Sequence, residues 1–121
     1  MDYKETLRRS AQILNERARD YGTPERCFAD AAAIASIMLR RTITDYDVVK
    51  IMEAVKLARE AESPHNADHY VDRINYTAFA SQFAPKNQYE RRDELEENIK
   101  EIAQKFAPPQ RPKIDTPVVE N

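Results

Sequence analysis

The chain has 121 residues, 41% of them hydrophobic, and its 19 basic and 21 acidic side chains leave a formal net charge of -2. That is apolar material for one modest core, and the near-cancelling charge excludes a protein that holds nucleic acid or an acidic membrane by bulk electrostatics. One glycine excludes an all-β fold, whose hairpins need several residues at positive φ, and one cysteine, Cys27, excludes an intrachain disulfide.

No apolar run approaches the roughly 18 residues of a spanning helix. The start Met1-Asp2-Tyr3-Lys4-Glu5 lacks the apolar segment of a signal peptide. The expected location is the cytoplasm in which the chain is made.

A first helix is predicted over residues 2–20, with Asp2 as N-cap and Leu7, Ala11, Leu14 and Ala18 recurring at three- and four-residue spacing. Tyr21-Gly22 ends it, with Gly22 as a left-handed C′ residue. Thr23-Pro24 then supplies an N-cap followed by proline at the first helical position. The second helix, over residues 24–41, carries Phe28, Ala31, Ala32, Ile34, Ala35, Ile37, Met38 and Leu39, and is apolar around most of its girth. A helix of that kind is central or belongs to an oligomer interface. Cys27, in its first turn, is expected to be a small buried hydrophobe.

Thr44-Asp45-Tyr46-Asp47 reads as a capping box opening a third helix through Val48, Ile51, Met52, Val55 and Ala58. Ser63-Pro64-His65-Asn66 breaks the chain, because proline is not tolerated in a helix interior. A fourth helix over residues 67–83 bears Tyr76, Phe79 and Phe83 on one stripe, and Pro85 closes it. Asn87 caps a fifth, strongly charged helix to residue 106, with a thin seam of Leu95, Ile99, Ile102 and Phe106. From residue 107 onward Pro108, Pro109, Pro112 and Pro117 predict an extended or disordered tail.

Chemistry is sought where polar residues stand on faces that the helical pattern turns inward. In the third helix Val49, Met52, Lys56 and Arg59 form one stripe. In the fourth, Asp68, Asp72, Asn75 and Tyr76 are neighbours, and Asp72 leads into the aromatic stripe. An antiparallel hairpin about Pro64 sets Glu53, Lys56 and Arg59 opposite His69, Asp72 and Asn75 across a shared groove. A lone buried charge is costly, so these groups either pair or meet a ligand.

Two readings follow. In one, a Lys56–Asp72 or Arg59–Asp72 bridge fixes the helix register. In the other, Lys56 and Arg59 contact phosphates, Asp68 or Asp72 holds a divalent cation or a ribose hydroxyl, and Tyr76 or Tyr70 stacks on a base. His65 and His69, four residues apart, also offer a metal-binding face with Asp68 or Asp72, against the plainer reading of His69 as a first-turn residue. Asp72, Glu53 and His69 are the metal-ligand candidates.

A Ser/His/Asp or Cys/His reading finds no strained turn and no oxyanion loop, since Ser10, Ser36, Ser63 and Ser81 lie in helices or at a cap. The pairs Arg8-Arg9, Arg40-Arg41 and Arg91-Arg92 are scattered among acids and read as solvated faces.

Several of these motifs carry a resemblance. Arg19-Asp20-Tyr21-Gly22-Thr23-Pro24, Phe28, Ile43-Thr44 with Asp47-Val48, Lys56-Leu57-Ala58-Arg59, and Asp68 followed by Val71-Asp72 and Asn75-Tyr76 resemble a helical family of bacteriophages and prophages. In it a Tyr-Gly-Asp-Pro turn precedes two helices ending in Lys-Xaa-Ala-Arg and Asp-Xaa-Xaa-Xaa-Asp-Xaa-Xaa-Gly-Tyr. The resemblance covers roughly residues 15 to 80, and Asn75 stands where that family often has glycine.

The family is similar in outline to the MazG-like all-α nucleoside triphosphate pyrophosphatases. Their paired Glu-Xaa-Xaa-Glu and Glu-Xaa-Xaa-Asp helices bind magnesium on the triphosphate. Here the corresponding steps read Glu53-Xaa-Xaa-Lys56 and His69-Xaa-Xaa-Asp72, so half of the acidic ligands are replaced. The resemblance therefore implies binding of an anionic nucleotide rather than its hydrolysis.

The expected protein is an all-α, compact bundle of four to five helices over residues 1–106 with a proline-rich tail over 107–121. Its first expected function is to bind and sequester a nucleotide-like or phosphorylated ligand between helices three and four, through Lys56, Arg59, Asp68, Asp72, Asn75 and Tyr76. The contrasting class is a protein-interaction module, a phage inhibitor or adaptor with an anti-defence role that grips a host protein through helix five and the tail. A third is a magnesium-dependent pyrophosphatase. The apolar second helix and the seam of the fifth predict a homo-oligomer. Phage origin would place it in the host cytoplasm, and neither membrane nor nucleic acid is an expected partner.

Overall fold

A computed structural model describes residues 2–84 and 88–106, apart from the side chains of residues 88–91 and 106. The Pro85 stop, the Asn87 cap and the tail over 107–121 lie outside the described residues. Five helices follow in chain order: α1 (Tyr3–Tyr21), α2 (Pro24–Leu39), α3 (Asp45–Glu62), α4 (Ala67–Phe83) and α5 (Gln88–Phe106). No strand occurs among the described residues, and the all-α expectation holds.

Local chemistry sets most of the boundaries. Asp2 accepts the amide of Glu5 at 2.8 Å and starts α1. Thr23 accepts the amide of Arg26 ahead of Pro24. Thr44 and Asp47 bond each other's backbone amides reciprocally, the capping box read from the sequence. Asn66 caps α4 through the amide of Asp68 at 3.0 Å.

Two helix ends differ from expectation. Gly22 has a positive φ of 78° but an extended ψ of -166°, so the chain leaves α1 by a glycine-favouring conformation other than the left-handed helical one. The second helix stops at Leu39, where Arg40 takes the left-handed conformation with φ 54°. Ser36 holds the turn that follows: its hydroxyl accepts the Ile43 amide at 2.9 Å and lies 2.7 Å from the Ala32 carbonyl.

α4 packs against α3 and α1, and α2 packs against α3 and α5. The core gathers Val49, Tyr76, Ala80 and Phe83, with Phe28, Tyr46, Met52 and Phe79 around them. α5 runs antiparallel to α2, since Asn98 donates to the Ala29 carbonyl at 2.7 Å while Arg26 meets Glu101 at 3.6 Å. Leu95 and Ile102 bury the expected seam, and Asn98 joins them. The small Ala29, Ala32 and Ala33 face makes that close approach sterically available.

Two predicted apolar faces are only partly buried. On α1 the fully buried side chain is Ser10, whose hydroxyl lies 2.8 Å from the Thr6 carbonyl and 3.2 Å from that of Val71, while Leu7 is exposed. On α2 Ala32, Ala33 and Ser36 are buried, whereas Ile34, Ile37, Met38 and Leu39 are exposed, Met38 to 74%. Among the described residues no helix is long and apolar enough to cross a membrane.

Candidate functional site

Lys56 on α3 and Asp72 on α4 meet at 2.6 Å, with side chains only 12% and 9% exposed. Each charge was placed on an inward face by helical spacing, and the antiparallel hairpin brings the two together. Burial of either one alone would be strongly unfavourable, so the pair is the local solution. A second cation approaches from α1: Arg17 Nη2 stands 3.5 Å from the other Asp72 oxygen and is 54% exposed. The three side chains carry one negative and two positive charges, a surplus of one.

Asp72 and Arg17 look into a cleft of about 320 Å³ bounded by α1, α2, α3 and α4. Its apolar wall includes Leu14, Phe28, Met52, Tyr76 and Phe79, with Cys27 and Tyr21 toward α2 and the end of α1. Phe28 organises that wall: its ring centroid lies 5.3 Å from Phe79 and 6.3 Å from Tyr76, the latter edge-to-face. Arg17 and Asp72 are the charged residues that line the cleft among the described residues. Asn75 lines it too, and its amide donates to the Ser10 carbonyl at 3.0 Å, which ties α4 to α1.

The cleft is therefore not the groove between helices three and four that the sequence suggested. It is walled by α1 and α2 as well as by Val48 and Met52 of α3 and the inner face of α4, and Lys56 meets Asp72 directly instead of lining it. Of the six ligand-binding candidates, Asp72, Asn75 and Tyr76 line the cleft, and Lys56 stands behind Asp72 as its counter-ion. Arg59 is exposed near the end of α3, and Asp68 pairs at the surface with Arg9 at 3.1 Å. Tyr70 lies elsewhere and donates its hydroxyl to the Pro64 carbonyl at 2.8 Å.

The metal candidates do not converge. His69 is buried in the first turn of α4, with Nε2 2.9 Å from the Ser63 hydroxyl at the end of α3. Glu53 lies ten residues earlier on α3, about 15 Å along the axis, and its Oε2 takes the Lys50 ammonium at 2.9 Å. That hydrogen bond holds the Lys50 pKa above its ordinary value. Asp72 is engaged by two cations. His65 is exposed in the connection between α3 and α4, whereas His69 is buried. Among the described residues no three of His, Cys, Asp and Glu are grouped where they could share a metal ion, so a magnesium ion on these side chains does not fit.

Sequence reasoning missed Arg17 and misplaced Cys27. Arg17 falls three residues after Leu14 and next to Ala18, so it flanks the apolar stripe of α1 much as Lys56 flanks that of α3. That signal was present. Cys27 is exposed and borders the cleft rather than the core, because the first turn of α2 faces the end of α1.

A wider groove of about 730 Å³ runs between α1 and α4, lined by Tyr3, Leu7, His65, Tyr70, Arg73 and Ile74. Its cation, Arg73, is already held by Glu60 at 2.8 Å. Among the described residues the smaller cleft joins an aromatic wall to a charge surplus.

Residues 5–84 match the family described as Domain of unknown function (DUF6378). The chain is also 34% identical over 74 residues to the Gene 55 protein of Mycobacterium phage D29, an alignment covering 60% of this chain and 49% of that protein. It thus spans about half the length of the phage relative. No solved structure matches. Every residue that lines the cleft, from Leu14 to Phe79, falls inside the matched segment, and the chain belongs to the DUF6378 family, a helical family to which a bacteriophage protein is related.

Proposed function

We propose that this protein binds a nucleotide-like ligand in the cleft bounded by α1 to α4 and sequesters it rather than hydrolysing it. The observation that carries this reading is the union of an aromatic wall, Phe28, Tyr76 and Phe79, with a triad bearing one surplus positive charge. A base stacked on such rings gains about 1–3 kcal/mol, and Arg17 is placed to meet an anion by charge-assisted hydrogen bonds. Asp72 offers acceptor oxygens to an amino or hydroxyl group of the ligand. At about 320 Å³ the cleft is at the small end of the roughly 300–1,000 Å³ range of ligand sites.

Sequestration is favoured over turnover because, among the described residues, the acidic side chains that hold magnesium in MazG-like pyrophosphatases have no convergent counterpart. Glu53 and Asp72 are bonded to Lys50 and Lys56 respectively, and phosphate release with magnesium is expected to stay at background. The likeness to that enzyme class is thus proposed to extend to binding alone. A phage-encoded protein of this kind would act in the host cytoplasm, where removing a nucleotide signal serves an anti-defence role.

Cys27 supplies a reporter, since it is exposed yet borders the cleft. A nucleotide at a hundred times its dissociation constant should stabilise the fold by about 2.7 kcal/mol. It should also slow alkylation of Cys27 by N-ethylmaleimide. A panel of nucleotides that neither raises the melting temperature nor protects Cys27 would overturn the reading.

A second reading concerns assembly. Ile34, Ile37 and Met38 recur at three- and four-residue spacing on α2 and are exposed, a face that favours association. We propose that it mediates a homo-oligomer. Light scattering should give more than one chain per particle, and Met38→Glu should reduce it to one. A monomeric wild type would reject self-association and leave a host protein as the partner of that face.

A further inference from the structure

Resting on the ligand reading above, we infer that the cleft selects a nucleoside monophosphate over both the free nucleoside and the triphosphate, with Arg17 as the residue that reads the phosphate. The two cations of the triad are not equivalent. Lys56 is almost fully buried and sits 2.6 Å from Asp72, so it is the fixed counter-ion. Arg17 is half-exposed at 3.5 Å, a long and solvent-screened contact that is easily given up.

When Arg17 turns from Asp72 to a ligand, Asp72 remains neutralised by Lys56. The exchange therefore leaves no buried charge unpaired. One guanidinium matches one phosphate group, to which it presents a bidentate fork.

A triphosphate asks for more than this site holds. Its additional negative charge is met in other proteins by several cations or by carboxylate-bound magnesium. Among the described residues, Arg17 is the single cation lining the cleft and no three acidic or histidine side chains are grouped to hold a metal. Further phosphates would project past Arg17 into solvent. A free nucleoside, at the other extreme, fills the aromatic wall but leaves the charge surplus unanswered.

Calorimetric titration of the full chain with the nucleoside, the 5′-monophosphate and the magnesium triphosphate of adenosine, guanosine, cytidine and uridine tests this. For the preferred base the monophosphate should bind at least about tenfold more tightly than the nucleoside, the scale of one charged hydrogen-bonded contact. It should also bind more tightly than the triphosphate. Arg17→Ala should bring monophosphate and nucleoside to within about threefold of each other, and Arg17→Lys should recover part of the difference. Because Arg17 is half-exposed, both variants should melt close to the wild type.

A triphosphate that binds as tightly as the monophosphate, or a monophosphate preference that survives Arg17→Ala, would overturn the inference while leaving the cleft a nucleotide site. Equal affinity for nucleoside and monophosphate would do the same. If none of these compounds binds, the ligand reading itself fails.

Discussion

Replacing Asp72 by alanine is expected to lower the stability of this protein by about 3–5 kcal/mol, the cost of stranding a buried charge. The stranded group is Lys56, whose ammonium lies 2.6 Å from the Asp72 carboxylate with a side chain only 12% exposed. Arg17 can turn back to water when Asp72 is lost, but Lys56 has α4 packed against it and cannot do so without opening the α3–α4 seam. A native domain has only about 5–15 kcal/mol to lose, so the melting temperature should fall on the order of 10–20 °C. The double replacement Lys56→Met with Asp72→Leu should restore most of the loss, because a buried pair exchanged for apolar groups of similar volume is close to neutral.

The two variants separate stability from binding. If Asp72 contributes only to the fold, the double variant recovers both stability and ligand affinity. If Asp72 also contacts ligand, stability returns and affinity does not. An Asp72→Ala loss below about 1 kcal/mol would mean that the pair is solvated, contrary to its geometry.

Phe83→Ala is expected to cost about 3–5 kcal/mol, the range for a deleted buried ring. Phe83 is 4% exposed, with its ring 6.0 Å from Phe28 and 6.2 Å from Phe79, to which it lies nearly parallel. It does not line the cleft, whereas Phe28 and Phe79 do. The cavity left behind would therefore let two wall residues relax backwards, weakening the proposed ligand stacking as well as the fold. Phe83→Leu should retain much of the packing and cost less, roughly 1–1.5 kcal/mol. Urea unfolding checks both, with a shifted midpoint and an unchanged slope. A loss under about 1.5 kcal/mol for alanine would show that the ring is not a packing centre.

The site was legible to the extent that its logic is local. Asp72 could be placed on an inward face because it stands four residues before Tyr76 and seven before Phe79, and Lys56 because it follows Met52 by four. That these two charges meet required only a hairpin about Pro64, which the break at Ser63-Pro64-His65-Asn66 announces. Their meeting makes Lys56 the counter-ion of Asp72 rather than a residue that lines the cleft. Arg17 lies 55 residues from Asp72, and although spacing sets it beside the apolar stripe of α1, it does not say that this stripe meets α4.

By itself the sequence determined the helices. Asp2, Thr23-Pro24, Thr44 with Asp47, and Asn66 each satisfy amides within three residues of themselves, so the caps form wherever the helices later pack. Only the tertiary structure decided which faces those helices bury. A helix such as α2, apolar around its girth, carries no preferred direction, and the close approach of α5 to Ala29 settled it, as that of α4 to Ser10 did for α1. The same packing left Ile37 and Met38 in solvent, brought Cys27 to the rim of a cleft, and carried Arg17 to Asp72, because the meeting of surfaces distant in the chain depends on shape and charge together rather than on periodicity.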